Sequence, residues 1–64
     1  MKMWIARDED GLLNLFLKEK PYHKVYERII VWTNEWGDVG LENDLFPEVT
    51  FENSPMEVEL VLKK

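Results

Sequence analysis

The chain has 64 residues, 45% hydrophobic and 33% charged, with a net charge of −5 at pH 7 and no cysteine. That length predicts one small β-rich domain, 1–64, and the missing cysteine excludes disulfide staples and thiolate metal sites. Residues 1–33 hold six bases against five acids, but residues 34–64 hold Glu35, Asp38, Glu42, Asp44, Glu48, Glu52, Glu57 and Glu59 against Lys63 and Lys64 alone. A field of that sign repels nucleic acid and anionic lipid and favours a basic protein partner or plain solubility.

Met3-Trp4-Ile5-Ala6-Arg7, the turn Asp8-Glu9-Asp10-Gly11 and the run Leu12 to Leu17 read as a β-hairpin. Asp-Gly between apolar runs is a strong hairpin signal, because glycine takes positive φ at little cost. In the return strand Leu13, Leu15 and Leu17 share one face, with Leu12, Asn14 and Phe16 on the other. Pro21 ends the run. Tyr22, Val25, Tyr26, Ile29 and Ile30 have helical spacing, yet Ile29-Ile30-Val31-Trp32-Thr33 has strand composition. The expectation is a strand over 28–33, preceded by a loop or irregular edge.

Asn34 to Asp38 reads as a turn and Val39-Gly40-Leu41 as a short pairing strand. Leu45-Phe46 before Pro47 predicts one short helical turn near 43–46, placing Phe46 as a buried plug over the open end of the sheet. Asn53-Ser54-Pro55 marks another turn. Met56, Val58, Leu60 and Leu62 then alternate with Glu57, Glu59 and Val61, a strand pattern with one apolar and one largely acidic face. The expected fold class is mainly β (small all-β or α+β): a small antiparallel sheet of about 4–5 strands. Its expected core holds Trp4 or Ile5, Leu13, Leu15, Ile29 or Val31, Phe46, Val58 and Leu60. Trp4 and Trp32 are read as core-packing tryptophans.

Two segments carry a resemblance. Trp4-Ile5-Ala6-Arg7-Asp8-Glu9-Asp10-Gly11, with Leu15-Phe16 and Lys20-Pro21, resembles the opening of small uncharacterised phage- or prophage-associated proteins. Leu45-Phe46-Pro47-Glu48-Val49-Thr50-Phe51-Glu52, then Pro55 and Glu57-Val58-Glu59-Leu60, resembles their closing pattern, which carries Trp at the position of Phe51. The swap keeps an aromatic residue. The resemblance implies a small β-rich fold and brings no catalytic or binding residue with it.

Candidate chemistry is sparse. Asp8, Asp10 and Gly11 look like the start of a calcium loop, but counting from Asp8 puts Leu12 and Leu13 where a ligand and a glycine are required. Turn chemistry accounts for them better. His23 is the lone histidine, and without cysteine neither a zinc set nor an activated nucleophile assembles around it. Glu57 and Glu59, about 7 Å apart along one strand face, have a spacing that glycosidases also use. Strand alternation already explains that spacing, and a solvated, edge-protecting face is the simpler role. No catalytic residue, metal ligand or cofactor is therefore expected.

No run reaches the roughly 20 apolar residues of a membrane span, and Met1 to Trp4 runs directly into charge at Arg7 to Asp10. A cytoplasmic protein with no membrane partner is expected. The leading functional expectation is a non-enzymatic acidic interaction module that binds a basic protein surface, with a host protein as the target the phage resemblance implies. Its expected contact residues are Trp36, Glu35, Asp38, Glu42 and Asp44. The alternatives are a small structural or self-associating protein that uses its sheet edges, and an aromatic-platform carbohydrate binder.

Overall fold

The protein is described here over residues 2–63 of a computed structural model. Met1, and Lys64 of the closing lysine pair, lie outside the described residues. The fold is all-β. Strands β1 (Lys2–Arg7), β2 (Leu13–Leu17), β3 (Tyr22–Tyr26), β4 (Ile29–Thr33), β5 (Asp38–Leu41) and β6 (Met56–Glu59) form two antiparallel sheets. One sheet has four strands in the order β5-β2-β1-β6, and the other is the β3-β4 hairpin.

The β1-β2 hairpin forms in the register Met3↔Leu17 to Arg7↔Leu13. Its loop closes as the Asp-Gly signal requires. Gly11 adopts φ +97°, its N–H donates to the Asp8 carbonyl (2.9 Å), and the Asp8 N–H donates to the Leu12 carbonyl (2.8 Å). That is the three-residue loop with a left-handed glycine.

Pairing fixes what each face of the sheet carries. Met3, Ile5 and Arg7 lie beside Leu13, Leu15 and Leu17, Val39 and Leu41, and Met56 and Val58 on the first face. Trp4, Ala6, Phe16 and Asp38, with Glu57, occupy the second. Each face has its own core. Ile5, Leu13 and Val49 are buried on the first, with Leu15, Leu41 and Val58 packed around them. Ala6, Phe16 and Trp32 are buried on the second, against Trp4 and Phe51.

Several expectations need correction. Residues Tyr22–Tyr26 are neither loop nor helix but strand β3, in register Tyr22↔Thr33 to Tyr26↔Ile29 with β4. Their two-residue turn is Glu27-Arg28, both at positive φ (45° and 73°). It has the geometry of a hairpin turn that Asn-Gly would fill, without the residues that advertise it. The helical turn near 43–46 is also absent. Leu45 N–H donates to the Glu42 carbonyl (3.1 Å) and Val49 N–H to that of Phe46 (2.9 Å), so two successive turns replace a helix. Phe46 sits at φ +49°, outside the right-handed region that the following Pro47 disfavours. It is 45% exposed, not a plug. The last strand stops at Glu59 instead of Leu62, and Leu60 is 64% exposed instead of in the core. Trp32 is buried as expected and Trp4 is partly buried.

Candidate functional site

The first face of the four-stranded sheet is partly covered by the connection from Glu42 to Pro55, and one side chain holds that cover down. Arg7 falls in the apolar row of β1, after Met3 and Ile5. All five N–H groups of its guanidinium are used. Nε donates to the Val49 carbonyl (2.6 Å), Nη1 to those of Gly11 (2.9 Å) and Asn43 (2.8 Å), and Nη2 to those of Leu45 (3.0 Å) and Phe46 (3.2 Å). The same segment is tied back elsewhere. The Asn43 Oδ1 accepts from Leu13 N–H (3.2 Å), and Ser54 Oγ accepts from Arg7 N–H (2.9 Å). Asn53 and Thr50 exchange hydrogen bonds of 2.8 and 3.2 Å, which stiffens the turn before β6.

The cover does not fill the face. Between it and the sheet lies an apolar concavity of about 490 Å³. Its floor is Met3, Ile5, Leu15, Leu41, Met56 and Val58, with Phe46 and Val49 supplied by the cover. Glu48 and Glu59 also line it, and no base does; alternation along β6 places the Glu59 side chain on the second face, beside Lys2. The volume lies within the range of small-molecule pockets and is large enough for one or two bulky side chains.

The second face is covered by the β3-β4 hairpin and is tight. Asp8, one residue after Arg7 and so on the opposite face, is buried, and its Oδ1 accepts from Trp32 N–H (2.9 Å). Glu9 N–H donates to the Ile30 carbonyl (3.1 Å), and Glu9 Oε1 accepts from Ile30 N–H (3.2 Å). Burial pushes the Asp8 carboxyl above its ordinary 3.8, with Asp10 and Asp38 adding to the rise and the Trp32 hydrogen bond opposing it. His23 lies 4.0 Å from the Trp32 ring in a tilted contact and stacks on Phe51 at 5.7 Å, as part of this aromatic packing.

The five expected contact residues lie along and beside β5, an edge strand of the sheet. Glu35 and Trp36 are in the turn before it, Asp38 is its first residue, and Glu42 and Asp44 follow it. All five are exposed. Trp36 is 55% exposed, and one side of its ring is taken by Lys18, whose Nζ lies 4.5 Å from the ring centroid. None of the five lines the concavity, which meets this edge only through Leu41. Sequence reasoning passed over the residues that build the concavity, Arg7 and Val49 above all. An arginine in a period-two apolar row was the available signal, because such a charge must find acceptors.

Among the described residues no helix is long and apolar enough to cross a membrane, and no group of three acidic, histidine or cysteine side chains is placed to hold a metal ion. Comparison with known proteins returns no match to a family model, a curated protein or a solved structure.

Proposed function

We propose that the protein is a non-enzymatic interaction module that takes up a basic, apolar segment of a partner protein. The observation that carries this reading is the composition of the concavity: an apolar floor, Glu48 on the cover and no base. A leucine- or methionine-sized side chain of the partner fills the floor, and a flanking lysine or arginine meets Glu48. Pairing opposite charges in this way steers association and rejects acidic competitors. Asp38, Glu42 and Asp44 along β5 extend the same negative field, and Trp36 offers an aromatic surface at its end. The resemblance of both chain ends to phage-associated proteins points to host proteins as the place to look for the partner.

The test is a titration with two unstructured peptides, one alternating leucine and lysine, the other leucine and glutamate. The leucine–lysine peptide is expected to bind, with an association that weakens as salt rises and weakens again in Glu48→Lys. Equal binding of both peptides, or none by either, would overturn the reading.

A further inference from the structure

The segment after β6 keeps the strand pattern of β6 but has no strand beside it. Leu60, Val61 and Leu62 are exposed, Leu62 at 83%. Strand β1 begins at Lys2, directly opposite Glu59, so nothing in the described sheet faces residues 60–63. Strand β6 is also an edge.

The direction of its free hydrogen-bonding groups follows from β1. Arg7 N–H points to the β6 side, where Ser54 Oγ accepts it (2.9 Å), and Asp8 N–H points to the β2 side, to Leu12 (2.8 Å). Two-residue alternation therefore turns Met3 and Ile5 towards β6, and their partners Val58 and Met56 back towards β1. The N–H and C=O groups of Glu57 and Glu59 point outward, away from the sheet. Continued alternation puts those of Val61 and Lys63 on the same side.

We propose that this edge pairs with the same edge of a second copy, in an antiparallel register that sets Leu60 opposite Leu60. That register places Glu57 opposite Lys63, Val58 opposite Leu62 and Glu59 opposite Val61, and repeats each pair by two-fold symmetry. The outward-facing residues 57, 59, 61 and 63 then fall opposite one another, as hydrogen-bonded antiparallel pairs require. Both lysine–glutamate pairs are of opposite sign, and Leu60, Leu62 and Val58 of the two copies meet on the apolar face. Shifting the register by two residues, so that Val58 meets Leu60, sets Glu59 against Glu59, a like-charge pair that disfavours the alternative. In the proposed register the segment is self-complementary, the condition for a closed two-fold interface. It also turns two four-stranded sheets into one of eight strands. Glu57 already lies 3.7 Å from Lys2, so its charge sits between two bases in the dimer. This proposal does not depend on the function proposed above, because the concavity lies on the face of the sheet and the pairing uses its edge.

The test is sedimentation equilibrium of the full 64-residue chain up to about 1 mM, with Lys63→Glu and Glu57→Lys/Lys63→Glu alongside. Wild type is expected to approach twice the monomer mass of 7.7 kDa. Lys63→Glu should weaken the dimer by roughly tenfold or more, since both pairs become repulsive, and the double exchange should restore it. Residue 63 lies outside the strands, so circular dichroism should show an unchanged monomer fold. A monomer at the highest concentration, or a Lys63→Glu dimer as tight as wild type, would overturn the proposal. Failure of the double exchange to recover the dimer would overturn the register.

Discussion

Arg7 and Asp8 are neighbours in sequence, and they hold down opposite covers of the same sheet by opposite chemistry. Arg7 is a cation whose five donors gather four carbonyls of the loop on the first face and that of Gly11 in the β1-β2 turn. Asp8 is an anion that takes a backbone amide of the hairpin on the second. The results differ. The hairpin is regular and, with Phe51 of the loop, packs Phe16 and Ala6 to 1% and 0% exposure. The loop is irregular and leaves a 490 Å³ space beneath it. A strand-on-sheet cover supplies side chains at regular intervals, whereas a loop spends its polar backbone on Arg7 and offers only Val49 and Phe46 downward. One face is therefore densely packed, and the other keeps an open apolar space.

The largest expected effect separates those roles directly. Phe16→Ala should cost about 3–5 kcal/mol, close to the whole stability of a domain this size, and leave the chain mostly unfolded at room temperature. Phe46→Ala, at a half-exposed ring, should lower the melting temperature far less while weakening peptide uptake in the concavity. Thermal melts by circular dichroism compare the two. Equal losses would erase the distinction between the faces.

Arg7→Lys comes next, at about 2–3 kcal/mol, because an ammonium cannot reach five carbonyls arranged around a planar fork. Hydrogen exchange should rise at the amides of residues 43–49 and stay unchanged at Ile30 and Trp32. Uniform acceleration would mean that the two covers are not held separately.

For Asp8 two substitutions pull apart its hydrogen bond and its charge. Asp8→Ala strands the Trp32 amide and should cost about 1–3 kcal/mol, most at low pH, where the protonated wild-type carboxyl contributes in full. Asp8→Asn keeps an acceptor. The raised folded-state pKa means that the wild-type carboxyl favours folding below 3.8 and loses that contribution as pH rises through its raised value. Asp8→Asn should therefore gain on wild type between mildly acidic and neutral pH, and the two should converge near pH 3.8. Denaturation midpoints across that range check the sign. A gain that grows as pH falls would contradict it.

The smallest effect is at the hairpin tip. Glu27→Asn/Arg28→Gly should raise stability by about 1 kcal/mol, since both positions hold positive φ that ordinary side chains resist. No change in the chemical denaturation midpoint would count against that turn geometry.

Legibility in the sequence followed the chemistry of each turn. Asp10-Gly11 and Trp36-Gly37 announce their turns through glycine, and the strands on either side were readable. Glu27-Arg28 announces nothing, so β3 looked like a loop. Alternation in Met56 to Leu62 is a true strand signal, but pairing needs a partner, and β1 supplies one only as far as Glu59. Phe46 looked like core because it is large and apolar. It stays half-exposed because Pro47 and the carbonyl grip of Arg7 fix the backbone on either side of it. The charged contact residues could be read as a region, along β5, but the concavity could not. It arises from the distance between a loop and a sheet, and no local pattern encodes that distance.

The most direct measurement of the difference between the faces is methyl and aromatic chemical-shift mapping with the leucine–lysine peptide. Saturable shifts are expected at Met3, Leu15, Leu41 and Val58, with Ala6, Phe16 and Trp32 unmoved. Shifts centred on Ala6, Phe16 and Trp32, or no saturable shift on either face, would contradict the assignment of the open face as the binding face.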